Sequence, residues 1–268
     1  MKKIYLSLLS FASLSMVDVA VAGDAADRSG QTSSQFSSEQ TTEVKKIVAE
    51  YITKNPDIIM TAFQAGMAEK QKEELAKVEK AVTENKDKIF KNEENPTAGN
   101  SKGTQSLVVF MAPYCGYCKK FHGELDTILS TNKDVKITFI DIPIMGPDSI
   151  TAVKAMLAAK KQGKYEQLQK AIFSADKHLT KKQILKIADS LGIDTKQLTN
   201  DMKNKDLQAQ IDHNSELAKT LGINGTPTLI FGDSKVVPGF IDAEEANKIL
   251  KQSATAVTEG KSTTEKAS

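Results

Sequence analysis

Apolar positions between residues 37 and 67 recur at helical spacing. Ser37 and Gln40 have the layout of a capping box ahead of Val44, Ile47, Val48, Tyr51 and Ile52, which fall on one face and predict a first amphipathic helix. Asn55-Pro56 supply an N-cap and an N1 proline for a second helix, with Ile59, Phe63 and Met67 at steps of four. From Ala68 to Glu74 the chain is almost entirely polar or charged, and Leu75, Val78, Val82 and Ile89 form only a sparse stripe. That pattern predicts a largely solvated helix joining a helical arm to the rest of the molecule. Asn95-Pro96 and the glycines Gly99 and Gly103 close the segment.

The period then changes. Ser106-Leu107-Val108-Val109-Phe110-Met111 is a short apolar run suited to a strand buried on both faces. Phe121, Leu125 and Ile128 make a helical face, and Val135 to Ile142 reads as a second strand, so the segment opens as a βαβ unit. No proline occurs between Pro147 and Pro227, and Gly163, Gly192 and Gly222 punctuate apolar stripes such as Ile150, Val153, Leu157 and Ile184, Ile187, Leu191. A block of helices is predicted there. Thr228 to Phe231, a Gly232-Asp233 turn, Val236-Val237 and a helix capped by Asp242 with Glu245 complete an α/β domain.

The ends read differently. Lys2 and Lys3, an apolar stretch from Ile4 to about Val17, and Ala20-Val21-Ala22 have the three-part layout of a signal peptide over 1–22. Ser7, Ser10, Ser13, Ser15 and Asp18 interrupt the stretch too often for a good membrane span. A lipoprotein needs cysteine at the cleavage point, and the two cysteines are Cys115 and Cys118, so export without a lipid anchor is expected. The periplasm is the expected compartment, with outer-membrane association left open. Residues 23–42 and 253–268 are rich in Ser, Thr, Gln and Gly, and predict a flexible leader and a disordered tail. The 268 residues leave room for a small helical region over 43–95 beside a domain over 96–252. A formal net charge of +2, from 36 basic and 34 acidic residues, gives no electrostatic argument for nucleic acid or a membrane surface.

Two cysteines separated by two residues are the most informative feature. Structural zinc lacks ligands, since His122 is followed by nothing at ligand spacing. Covalent haem attachment needs histidine where Lys119 stands. A purely structural disulfide would close a very short loop and restrain the unfolded chain little. A redox dithiol suits the local layout. Cys115, between a strand and the first turn of a helix, would face backbone N–H groups that stabilise a thiolate, and Cys118, one turn later, would be the shielded resolving thiol. Tyr114 and Tyr117, two of five tyrosines, suggest an apolar rim for unfolded clients or ordinary surface aromatics. Lys119 and Lys120 read as a solvated helix face or as thiolate-stabilising charges, and His122 as a residue that tunes Cys115 if it falls near the sulfur. His178 and His213 read as surface residues, and the eight methionines as core filler.

The strand Val108 to Met111, the segment Ala112-Pro113-Tyr114-Cys115-Gly116-Tyr117-Cys118-Lys119-Lys120-Phe121, the helical block and Gly225-Thr226-Pro227-Thr228 before a strand together resemble the DsbA family. The resemblance covers residues 96–252 and is nearest to exported DsbA-like and Com-like proteins with an extra N-terminal helical region. It implies a thioredoxin fold with a helical insertion at about 147–220. It also implies a cis proline at Pro227 lying against the cysteines, and a client-contacting surface formed by Thr226, Pro227 and Tyr117. One position departs from the oxidase pattern: Val109 stands where many members carry a buried acid that moves the proton of the resolving thiol. A different proton acceptor, such as water, is then required. Gly116-Tyr117 and Thr226 instead resemble dimeric isomerases of the DsbC kind.

These features predict a protein that forms or isomerises disulfides in unfolded or misoxidised exported proteins, with no cofactor and no metal, recycled by a membrane redox partner. The strong apolar faces over 43–67 predict a homodimer. A dedicated monomeric oxidase served by a quinone-linked partner is the alternative within this class. A surface or periplasmic binding protein that uses the thioredoxin core as scaffold is the alternative outside it.

Overall fold

The computed structural model describes residues 36–232 and 234–264. The segment 1–22 expected to be a signal peptide, the expected leader up to residue 35, Asp233 of the expected Gly232-Asp233 turn and the last four residues lie outside the described residues. The chain divides into two units, residues 1–62 and 63–268.

Within the first unit, helix α1 (Ser38–Lys54) begins on the capping box seen in the sequence. The Ser37 side chain accepts from Gln40 N–H, and the Gln40 side chain accepts from Ser37 N–H. Helix α1 therefore takes in residues 38–42, which composition assigns to the leader. No residue of α1 is buried. Helix α2 (Pro56–Glu84) starts on its proline and crosses into the second unit. Ile47, Tyr51, Ile59, Phe63 and Met67 are all exposed, so both amphipathic faces stand open in a single copy of the chain.

The second unit is organised around a five-stranded sheet. Strands β1 (Thr97–Gly99), β2 (Gln105–Met111), β3 (Val135–Asp141), β4 (Thr228–Phe231) and β5 (Lys235–Pro238) lie in the order β1-β3-β2-β4-β5. β2 and β3 run parallel, joined by helix α4 (Gly116–Thr131), and the remaining pairs are antiparallel. Central strand β2 is buried from Leu107 to Met111 because both faces are covered. Leu107, Val109 and Met111 enter one core with Cys118, Phe121, Leu125 and Phe139. Val108 and Phe110 enter a second with Ile140, Ile230 and Leu217. The insertion is helical as expected, in α5 (Pro147–Lys160), α6 (Tyr165–Ser174), α7 (Lys181–Ser190), α8 (Thr195–Asp201) and α9 (Lys205–Thr220). Much of it packs on the first core.

Three features differ from the sequence reading. The stripe Leu75, Val78 and Val82 of α2, together with Ile89 of the short helix α3 (Lys86–Phe90), is part of the second core, with Val82 and Ile89 fully buried. Because α9 shares the cover of that sheet face through Leu217, Ala218 and Leu221, α2 contributes only one row of side chains, and the charged residues around it mask the pattern. Glu79 adds a polar tie, accepting from Val236 N–H at 3.2 Å and lying 3.8 Å from Lys235 Nζ. Second, the linker holds strand β1, whose Gly99 at φ +81° lies so close to the Val135 carbonyl that a Cβ would overlap it. Third, the backbone of α10 (Ala243–Thr264) stays helical beyond Ser253, where composition predicts a disordered tail.

Candidate active site

The end of β2 delivers the chain into a tight turn. Tyr114 sits at φ +70°, a left-handed conformation that a non-glycine residue adopts only under constraint. The constraint is visible in its side chain. The Tyr114 ring stacks on His178 at 4.4 Å between centroids, and its hydroxyl accepts from Leu179 N–H at 3.1 Å. Cys115 N–H closes the turn onto the Ala112 carbonyl at 3.3 Å, leaving Cys115 as the N-cap of α4 with no side-chain capping bond. The sulfur thus takes the place of a capping oxygen, at the helix end where backbone N–H groups are unpaired.

The second wall comes from the loop before β4. The Thr226-Pro227 peptide is cis, as the resemblance implies, and the Cys115 thiol donates to the Thr226 carbonyl at 3.3 Å. The two thiols are free and differ in environment. Burial raises the Cys115 pKa, but hydrogen bonds from the Thr226 side chain, from the Cys118 backbone and thiol and from the Tyr117 backbone outweigh it. The net position is below the ordinary thiol value. Cys118 is fully buried, and burial pushes it up to about 12 against opposing hydrogen bonds from Thr226 and Ala112. One sulfur is prepared to ionise and the other to keep its proton.

The neighbouring side chains Tyr117, Lys119, Lys120 and His178 are exposed, as the sequence reading expects. Tyr117 is 61% exposed, with Lys120 Nζ 5.3 Å from its ring centre, so its ring stands open at the surface. Tyr114 anchors the turn to the insertion, and His178, exposed as the sequence reading has it, is its stacking partner. Lys119 reaches to the end of α6, donating to Ser174 O, Ala175 O and Asp176 Oδ1 at 3.1, 3.3 and 2.8 Å. His122 stacks on Phe173 at 5.1 Å. Burial lowers its pKa, while a Gln169 hydrogen bond and Asp126 oppose the shift. A cleft of about 160 Å³ beside Cys115 is lined by Tyr114, Gly116, Lys119, Phe173 and His178. A larger, mainly apolar groove of about 740 Å³ runs along Met67, Leu75, Val78, Ile223 and Val236 and reaches Gly225 and Thr228, which flank the cis peptide. Among the described residues no three His, Cys, Asp or Glu side chains converge as a metal site.

A buried polar group absent from the sequence reading lies on the same core face. Asp141, at the end of β3, is fully buried. Tyr165 hydroxyl donates to its Oδ2 at 2.7 Å, and Gln169 Nε2 donates to the Tyr165 oxygen at 2.6 Å. Burial raises the Asp141 pKa to about 7 despite the Tyr165 bond. The available signal was an acid inside the apolar run Phe139-Ile140-Asp141-Ile142.

Sheet order, the N-cap cysteine and the cis peptide together define a thioredoxin-fold dithiol protein. A family model described as Thioredoxin matches residues 91–252, and the chain belongs to that family, within which it is DsbA-like. A thioredoxin-like oxidoreductase from Silicibacter pomeroyi DSS-3 is similar at 31% identity and TM-score 0.60, over 63% of this chain and 97% of that one. The thiol-disulfide exchange protein alpha-DsbA2 from Wolbachia pipientis is similar at 27% identity and TM-score 0.62, over 65% and 95%. ScsC from Proteus mirabilis in a transitional conformation is similar at 26% identity and TM-score 0.60, over 83% and 98%. No curated protein sequence matches the chain.

Proposed function

We propose that this protein is an exported enzyme that exchanges disulfides with unfolded or misoxidised client proteins in the periplasm. The carrying observation is the split between the two thiols: Cys115 is lowered and hydrogen-bonded to the Thr226 loop, whereas Cys118 is buried and raised to about 12. In the reducing direction Cys115 thiolate attacks a client disulfide and forms a mixed disulfide, releasing one client thiolate. Cys118 then attacks Cys115, the second client thiolate leaves, and the enzyme retains the disulfide. Oxidation of a client dithiol is the same path reversed. Thr226, Pro227 and Tyr117 form the client-contacting surface, and the apolar groove reaching Gly225 and Thr228 supports that reading by offering an apolar surface beside the loop. No cofactor enters either step. A membrane redox partner resets the dithiol.

The open faces of α1 and α2 support a homodimer, because Ile47, Tyr51, Ile59, Phe63 and Met67 are large apolar side chains left exposed. Two active sites in one assembly favour isomerisation, since one site holds a client while the other attacks. Light scattering on the mature protein, paired with recovery of activity from a scrambled-disulfide model client, tests both statements. A dimer that restores the client supports the isomerase reading. A monomer that only oxidises reduced client moves the assignment to a dedicated oxidase.

A further inference from the structure

Disulfide exchange requires Cys118 to lose its proton when it attacks and regain it when it leaves. Val109 supplies no group for this, being fully buried and apolar. The pairing register shows where a carboxyl stands instead. Val109 lies opposite Phe139, and one pleat further toward the active-site end Met111 lies opposite Asp141. Strand alternation puts residues 109, 111, 139 and 141 on one face, and Val109, Met111, Phe139, Tyr165 and Cys118 share the core on that face. The next backbone step joins the two ends. Ile142 N–H donates to Met111 O at 2.8 Å, while Ala112, the residue after Met111, hydrogen-bonds Cys118 from its backbone. Asp141 is therefore level with the strand end whose next residue, Ala112, bonds the resolving thiol, one pleat beyond position 109.

The carboxyl is also held as a proton acceptor should be. Tyr165, itself fixed by Gln169, takes up Oδ2, and Oδ1 is buried with no hydrogen-bond partner. An unpaired buried oxygen is costly and calls for a function or a proton. Tyr165 on α6 is the titratable group that bonds it, Glu166 acts on that tyrosine, and Cys118 on α4 belongs to the same core as Tyr165.

We infer that Asp141 is the proton store of Cys118, acting from β3 in place of a carboxyl at position 109; this rests on the disulfide-exchange reading above. In the resolving step the Cys118 proton is passed to Asp141 Oδ1. The Cys118 sulfur bonds to Cys115, the Cys115–client bond breaks, and its electron pair leaves with the client thiolate. In the reverse direction the client thiolate attacks Cys115, Cys118 leaves as thiolate, and Asp141 returns the proton. The elevated pKa fits such a store, because a carboxyl that titrates near neutrality both takes and gives protons.

Rapid mixing of the full-length reduced protein with a disulfide-bonded model peptide, with acid quench and mass spectrometry from pH 5 to 9, separates formation of the Cys115 mixed disulfide from its resolution. Asp141→Asn is expected to leave formation unchanged and to slow resolution at least ~10-fold near neutral pH, abolishing the titration of that step. Equal lifetimes and equal pH profiles overturn the inference. A measurement on unaltered protein guards against misfolding of the variant: the Asp141 carboxyl carbon, followed by NMR, is expected to titrate at different pH in the dithiol and disulfide forms. Identical midpoints overturn it. If unaltered protein forms no mixed disulfide at Cys115, the functional reading fails first and the inference falls with it.

Discussion

Cys115 donates its thiol proton to the carbonyl of Thr226 across 3.3 Å, although 111 positions separate them in the chain. That contact joins the helix-capping sulfur to the cis-peptide loop and makes the loop part of the sulfur's electrostatic environment. The same residue acts on both thiols, since hydrogen bonding from the Thr226 side chain favours the ionised form of each.

Thr226→Val should therefore raise the Cys115 pKa, shift the redox potential to a more reducing value, and cost about 1 kcal/mol of stability or less. Equilibration against glutathione buffers reads the potential, where a tenfold change in the equilibrium constant is about 30 mV. An unchanged potential would remove Thr226 from the site.

The two cysteines should differ in reactivity before any client is present. A brief iodoacetamide pulse on reduced protein near neutral pH should label Cys115 and spare Cys118, because only the first is lowered and partly accessible. Peptide mapping that found Cys118 labelled first would reverse the roles assigned here.

Asp141 makes stability depend on pH with a definite sign. Its carboxyl titrates at about 7 when folded and near its ordinary 3.8 when unfolded, so the folded chain binds the proton more tightly. The resulting stabilisation is complete below about pH 4 and is lost as pH rises through about 7, on the order of 4 kcal/mol. Urea unfolding across that range should show this loss in the unaltered protein and a flatter curve in Asp141→Asn. Parallel curves would mean that Asp141 does not carry the buried proton.

The two parts of α2 should behave differently on truncation. Removing residues 1–62 should leave the thermal midpoint nearly unchanged while abolishing self-association. Removing 1–95 also strips Leu75, Val78, Val82 and Ile89 from the second core, and should cost on the order of 5 kcal/mol. Equal calorimetric midpoints for the two truncations would contradict the docking of α2 on the sheet.

Local features were legible in the sequence. The apolar run Leu107 to Met111 meets covers on both faces and reads as a central strand, and two cysteines one helical turn apart announce their own chemistry. The capping box at Ser37 is equally local. What was not legible depends on contacts across long separations. The stripe from Leu75 to Ile89 is diluted by charges that only the docked sheet face turns outward. Tyr114 looks like a surface aromatic until His178 and Leu179 are brought against it. Asp141 resembles a polar strand end, and only the register with Met111 and the Tyr165 bond show it buried on the core face. Three-residue β1 is too short to show a period.

The most direct test of the account is to express Cys118→Ala in its native compartment and isolate the protein without reductant. Deprived of the resolving thiol, Cys115 should accumulate in mixed disulfides with exported proteins, visible as higher-mass bands that collapse on reduction and are absent from a Cys115→Ala, Cys118→Ala control. Recovery of Cys118→Ala solely as unlinked protein with a free Cys115 would contradict disulfide exchange with protein clients.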